Sequence, residues 1–288
     1  MKRLLHNVIV ISDTHCGCRL GLCPPEGVTL DDGGQYYPSK IQIKVWSLWR
    51  AFWSDWVPRV TKGEPYSVIH NGDAIDGSHH QSTTQISQNL EDQSRIAYAV
   101  LAPVVQACGG RYYHIRGTEA HVGKSGVEEE RLAQRLGARP NAEGQHARWE
   151  LWFEIGGDAR GRQRSGLLHF SHHIGTTGSS HHEASAVNAE IATAFTEAGR
   201  WKLRPPDGVV RSHRHRCIEV RLPSAIGYAS SFVTAAWQLK TPFAYKIAGG
   251  RQTQPQIGGS LIRMGDEELF ARHCVWCVER PEAVRELA

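Results

Sequence analysis

Residues 8–15 read Val8-Ile-Val-Ile-Ser-Asp-Thr-His15. Four consecutive apolar residues have the pattern of a short buried strand. The strand gives way to Asp13 and His15, two positions apart. At a period of two, both side chains leave the strand end on the same side. An oxygen and a nitrogen ligand so placed can grip one divalent metal. Asp-x-His is a short motif, and its weight depends on what the rest of the chain adds.

The chain has 288 residues, 40% of them hydrophobic and 22% charged. That is an ordinary globular composition, long enough for one large α/β domain. No apolar run reaches the roughly 18 residues of a membrane span. Met1-Lys-Arg-Leu-Leu-His6 runs straight into the first strand without a signal-peptide core, so a cytoplasmic protein with no membrane partner is expected. Seven cysteines do not suggest a disulfide framework. Cys16, Cys18 and Cys23 cluster, and Cys274 and Cys277 form a Cys-x-x-Cys. Reduced, packed thiols are the favoured reading and a structural zinc the sharper one. The net charge of +4 permits an anionic substrate without demanding one.

Residues 16–40 are rich in Gly, Pro and Asp and read as a long loop, expected to form a flap beside the site. Residues 40–57 follow with Trp46, Trp49, Trp53 and Trp56 on one helical face, stopped by Pro58. Core packing is favoured for this stripe over a platform for stacking bases. Strands are expected at 66–70 and 111–116. The first is followed by a helix over 85–108, closed by Gly109-Gly110. The second leads to a helix capped by Ser125 with Glu128. This β-α-β-α-β-α order implies a largely parallel sheet with ligands at its carboxyl edge. Residues 148–155 and 167–173 suggest a hairpin in a second sheet. A helix over 183–201 and strands at 207–215, 217–222 and near 260–263 complete the reading, with 236–259 unassigned. There is no internal repeat and no linker, so one domain is expected.

Chemistry-bearing residues gather just past the apolar runs: Asp13 and His15, Asp73 and Asp76, Glu119 and His121, His172 and His173, His213 and His215. Carboxylates with several imidazoles suit a pair of borderline metals. Each element has a plain alternative, such as an Asx turn at Asp73-x-x-Asp76. Five in series are harder to dismiss.

In this order the chain resembles the calcineurin-like metallophosphoesterase family, whose blocks run Asp-x-His, Gly-Asp-x-x-Asp, Gly-Asn-His, a His after a strand, and Gly-His-x-His. The matches are Asp13-Thr-His15, Gly72-Asp73-Ala-Ile-Asp76, Gly117-Thr-Glu-Ala-His121, His172 and Ser212-His-Arg-His215. Thr118 stands where the family has Asn, and Ser212 where it has Gly. The resemblance implies an α/β fold, a four-layer α/β/β/α sandwich with two mixed sheets, as a single domain over residues 1–288 with a loop-helix insertion at about 16–58. It implies two divalent metal ions, Mn first, with Fe, Zn and Ni as alternatives. Asp13, His15 and His215 would hold one ion, His172 and His213 the other, and Asp73 both. Glu119 is the expected substitute for the missing Asn. His121 takes the catalytic role, as an acid or a stabiliser of charge, and Asp76 orients the catalytic His or a ligand. His172 is preferred to His173.

The implied function is hydrolysis of a phosphoester, with a phosphodiester such as a nucleotide or nucleic acid modestly favoured by charge. The alternatives are a phosphomonoesterase acting on a protein or small molecule, and a metal-binding scaffold without catalysis. Arg160, Arg162 and Arg164 precede the strand carrying His172, and Arg211, Arg214 and Arg216 interleave with His213 and His215. Arg211 and Arg214 in particular are candidates to hold non-reacting phosphates. The plain reading is that most of these arginines are solvated or paired with acids.

Overall fold

Val8 and Val10 leave β1 (Asn7–Ile11) on one side and Ile9 and Ile11 on the other, and all four are fully buried. A strand buried on both faces belongs inside a layered structure. The computed structural model describes residues 5–79, 81–123, 125–157, 164–175, 180–224, 227–247, 253–265 and 268–279. Its strands are β1, β2 (Val28–Thr29), β3 (Gln35–Tyr36), β4 (Tyr66–Asn71), β5 (Tyr112–Ile115), β6 (Ala147–Arg148), β7 (Glu150–Gly156), β8 (Ser165–Ser171), β9 (Gly208–Arg211), β10 (Ile218–Ser224), β11 (Gly227–Val233), β12 (Gln256–Met264) and β13 (Leu269–Cys277). Its helices are α1 (Lys40–Ala51), α2 (Val57–Thr61), α3 (Leu90–Ala107), α4 (Glu119–Val122), α5 (Val127–Leu136) and α6 (Glu183–Trp201).

The first sheet has the order β13-β12-β1-β4-β5-β6 and the second β10-β11-β9-β8-β7. Strands β1, β4, β5 and β6 are parallel, while β12 and β13 add antiparallel pairs. The second sheet is mixed as well, with the β7–β8 and β10–β11 pairs antiparallel and β9 parallel to both its neighbours. The first sheet is thus less parallel than the chain order implied. Three apolar interfaces separate four layers. Ile9, Ile11, Val68 and Leu261 pack on Trp49, Phe52, Ile96 and Leu101 of the helical layer. Val8, Val10, Ile69 and Ile262 meet Leu168, Phe170, Val210 and Phe232 between the sheets. Val187 and Ile191 of α6 cover Val209, Ala229 and Val233 on the outer face. This is the expected α/β/β/α sandwich.

The tryptophan stripe is core. Trp49 and Trp56 are buried, and Trp49 meets Trp237 edge-on at 4.8 Å. Pro58 does not stop the helix, which runs on to Thr61 and closes at Lys62 in the left-handed conformation. A π-turn over Phe52–Trp56 precedes it, and the proline falls in the first turn of α2. An amide N–H is not needed there. Helix α3 starts at Leu90 rather than near 85, because Asn89 caps it by accepting from the Glu91 N–H. Gly126, not Ser125, precedes α5, and no side chain caps that helix. Strands β11 and β13 were not expected. The loop after His15 is anchored over its first part. Cys16, Cys18, Leu22 and Cys23 are fully buried, and the Gln42 amide of α1 donates to the carbonyls of Cys18 and Gly21.

Candidate metal centre

The parallel strands deliver their loops side by side. Beyond β1 and β4, the N–H groups of Asp13 and His15 donate to the carbonyls of Gly72 and Asp73 at 2.9 and 3.1 Å. The Trp237 N–H donates to the Asp13 carbonyl, and the Ser212 N–H to that of His172. Asp13, His15, Asp73, His213 and His215 all have positive φ, between 41° and 73°. They are five of the eight non-glycine residues with that conformation among those described. Such backbone costs about 1–3 kcal/mol per residue and gathers where a site demands it. The side chains of Asp13 and His15 therefore converge through left-handed turns and not through strand alternation. Gly72 is required: a Cβ there would lie 2.4 Å from His172 Nδ1. A Cβ on Gly117 would lie 2.0 Å from Asp73 Oδ1.

Two groups of ligand atoms result. Asp13, His15 and His215 form one, and Asp73, His172 and His213 the other, with the atoms of each group within 4.8 Å of one another. His215 Nε2 is 3.2 Å from Asp13 Oδ1, and His172 Nε2 is 3.0 Å from Asp73 Oδ2. His172 Nε2 also stands 4.0 Å from Asp13 Oδ1, so the groups adjoin. These atoms fit cations. Asp13 Oδ1 and His172 Nε2 are buried without a hydrogen-bond partner. The Nε2 atoms of His15 and His215 face each other at 3.3 Å, where a shared cation would satisfy both lone pairs. The mixture of carboxylate and imidazole donors suits Mn, Fe or Zn.

Charge is concentrated here. Burial favours neutral carboxyls, but His215, His15 and His172 hold Asp13 well below the usual carboxylate range, and His172 and His121 do the same for Asp73. Burial would lower His15, yet Asp13 and Asp76 raise it to about 10, and Asp73 and Asp13 likewise raise His172 to about 9. His121 and His213 are pushed by burial down to about 4.

His172 is buried against Asp73, whereas His173 is exposed. Asp76 fixes His15: its Oδ1 lies 3.2 Å from His15 Nδ1 and accepts from Gln238 Nε2, while Oδ2 accepts from Gln85 Nε2. His121 Nδ1 bonds the Asp76 carbonyl at 2.5 Å, with Nε2 3.9 Å from Asp73 Oδ2. His15, Asp76 and His121 form a third convergent trio.

Glu119 is not brought into either group. It is exposed at the start of α4, and Thr118 occupies the place expected of the Asn. The Thr118 hydroxyl is 3.1 Å from Asp73 Oδ2 and 3.2 Å from His213 Nδ1. Arg211 is not turned to the site either. It lies on β9 with its side chain toward α6, bonded to Glu190 at 2.8 Å and to His169. Arg214 donates to the Glu183 carbonyl, and Arg216 pairs with the Glu183 carboxylate. Arg164 pairs with Asp207, and Arg160 and Arg162 lie outside the described residues. The thiols of Cys16, Cys18 and Cys23 are pushed up by burial, to about 12 for Cys18 and Cys23, which suits packed thiols. Gln85 and Gln238 escaped sequence reasoning because no motif marks them. The Ser212 hydroxyl accepts from the Asn71 amide at 2.7 Å and so ties the two sheets.

No family model matches the chain. No curated protein matches it. Solved structures do. Wild-type Vps29 from Entamoeba histolytica, complexed with zinc, is 11% identical with a TM-score of 0.37, over 94% of this chain and 97% of that one. Vps29 from Cryptosporidium parvum is 10% identical with a TM-score of 0.34, over 96% of this chain and 100% of that one.

Proposed function

We propose that this chain hydrolyses phosphoesters at a centre for two divalent cations. The observation that carries the reading is the convergence of Asp13, His15 and His215 beside Asp73, His172 and His213 at one sheet edge. The first trio would hold one ion and the second the other, with Asp73 between them and the Thr118 hydroxyl as a weak neutral neighbour. Two bound cations supply electrophilic charge for a phosphoryl group and acidify water. The reaction adds water across the P–O bond: the water oxygen joins phosphorus, and the alcohol leaves with a proton.

The chain's own residues set the rest. Asp76 holds the Nδ1 edge of His15, so its Nε2 edge faces His215. The Asp76 carbonyl accepts from His121 Nδ1, which leaves the lone pair on Nε2 facing Asp73. With its pKa near 4, this imidazole is neutral at neutral pH. It is suited to take a proton at Nε2 first and to return it to the leaving oxygen afterwards, rather than to start as the acid.

The test is turnover of p-nitrophenyl phosphate and bis-p-nitrophenyl phosphate by Mn²⁺-loaded and metal-stripped protein, with Asp73→Ala alongside. Metal-dependent turnover lost in Asp73→Ala is expected. Protein carrying two ions per chain that cleaves neither ester would sink the proposal.

A further inference from the structure

Beside the candidate metal centre, α4, the start of α3 and the turn after β4 line an open cavity of about 390 Å³, with Ser78, His79, Leu90, Glu119, Ala120, His121 and Gly123 at its walls. His121 is the wall shared with the centre. Its ring meets that of His15 edge-on at 4.6 Å on one side and that of His79 at 4.3 Å on the other. The cavity therefore adjoins the centre at His121. Its volume lies near the lower end for small-molecule sites, about 300–1,000 Å³.

The lining has a definite character. Leu90 and Ala120 are apolar, and Ser78 and His79 are polar, with His79 Nε2 3.5 Å from Asp76 Oδ2. Glu119 contributes a carboxylate. No hydrogen bond or ion pair to another described residue takes up its carboxylate, and its field reaches His173. No Lys or Arg lines the cavity among the described residues. The arginines nearest in sequence to the site histidines turn to α6: Arg211 bonds Glu190, Arg214 reaches the Glu183 carbonyl at 3.5 Å, and Arg216 pairs with the Glu183 carboxylate.

We propose that this cavity receives the alcohol portion of the ester and that Glu119 selects a small alcohol that donates hydrogen bonds, such as a polyol or an amino alcohol, against one carrying further negative charge. The proposal rests on the phosphoesterase reading and names its substrate class. A second anionic group in the cavity would face the Glu119 carboxylate with no Lys or Arg among the described lining residues to offset it. An ammonium or hydroxyl group there would be bound by it. An internal position of a nucleic-acid chain, with phosphates on both sides, is correspondingly disfavoured.

The experiment compares glycerol 2-phosphate, phosphoethanolamine and 3-phosphoglycerate with the Mn²⁺-loaded full chain. Both kcat/KM and calorimetric binding of each ester are measured for the wild type, Glu119→Gln and Glu119→Lys. The wild type should favour the first two over 3-phosphoglycerate by on the order of tenfold, as expected for one like-charge contact in a partly screened site. Glu119→Gln should shrink that ratio to within about threefold, mainly through KM, and Glu119→Lys should reverse it. A ratio unchanged in both variants, with turnover intact, overturns the cavity assignment and leaves the hydrolase reading standing. Binding that discriminates through Glu119 without any turnover overturns the hydrolase reading and keeps the cavity. Absence of binding by all three esters overturns the cavity assignment.

Discussion

Glu129 accepts the backbone N–H of Gly117 through Oε2 at 2.5 Å, and its other oxygen takes the N–H of Ala74 at 2.7 Å. This carboxylate is fully buried. It fastens the loop carrying Asp73 to the loop carrying Thr118. His114 Nε2 lies 3.6 Å from Oε1, and the His114 ring stacks on His70, whose Nε2 meets the Thr14 hydroxyl. Polar contacts thus run beneath three of the loops that carry the site residues. Glu129→Gln turns one acceptor into a donor aimed at an N–H. It should lower stability by about 1–3 kcal/mol and weaken metal binding roughly 10–100-fold, the usual range for a group that orients ligands. Urea unfolding and chelator competition measure the two effects. Lost stability with unchanged metal affinity would confine Glu129 to a folding role.

Thr118 donates its N–H to Asp73 Oδ1 at 2.7 Å and its hydroxyl to Oδ2 at 3.1 Å. A hydroxyl is a poor ligand for a divalent cation, and an amide oxygen is a better one. Thr118→Asn should therefore tighten the weaker of the two ions by about tenfold, while Glu119→Ala should leave both in place. Elemental analysis after graded dialysis distinguishes them. Loss of one ion in Glu119→Ala would mean that Glu119 enters the site after all.

Arg211 is 6% exposed, and its guanidinium contacts Glu190, His169 and the Val210 carbonyl. Its place is between the second sheet and α6. Arg211→Met should cost about 1–3 kcal/mol in urea unfolding, since it strands partly buried partners. KM for p-nitrophenyl phosphate should move less than about twofold, because a residue away from the bound ester contributes no binding to lose. A raised KM with stability intact would restore Arg211 as a substrate contact.

The core of the fold was legible because β1, β4 and β5 are short apolar runs ending in motif residues, and α6 has an unbroken helical period. β11 was not, because its buried Ser230 and Ser231 interrupt the apolar signal. β13 is an edge strand whose polar residues obscure its pairing with β12. The residues of the two convergent trios were legible as types and order. The left-handed turns that make them converge were not, since Asp and His tolerate positive φ better than most residues but adopt it only where the surrounding fold imposes it. Glu119, favoured for its ligand strength, stands outside both trios because of its position. The residue directly after Gly117 meets Asp73, and the next one already belongs to a helix turned outward. The arginines misled for a related reason. Interleaving in sequence placed them near the ligands, but the outward face of β9 sends Arg211 to α6.

Proton release should accompany metal binding. In the metal-free protein, neighbouring carboxylates outweigh burial and raise His15 to about 10 and His172 to about 9. Their unfolded value is about 6.5. A pKa raised on folding contributes stability that is complete below the unfolded value and is lost as pH climbs through the folded one. Metal-free protein should therefore lose thermal stability between about pH 7 and 10. A cation needs the imidazole lone pairs, so it must displace these protons. Asp13 and Asp73 are already ionised and contribute none. Apparent Mn²⁺ affinity should rise with pH up to that range. Calorimetric titration at pH 7.5 in two buffers of different ionisation enthalpy should give different heats, and His15→Gln should reduce the release by about one proton. Equal heats in the two buffers would mean that the imidazoles are neutral before the metal arrives, and that the carboxylates do not hold His15 and His172 protonated.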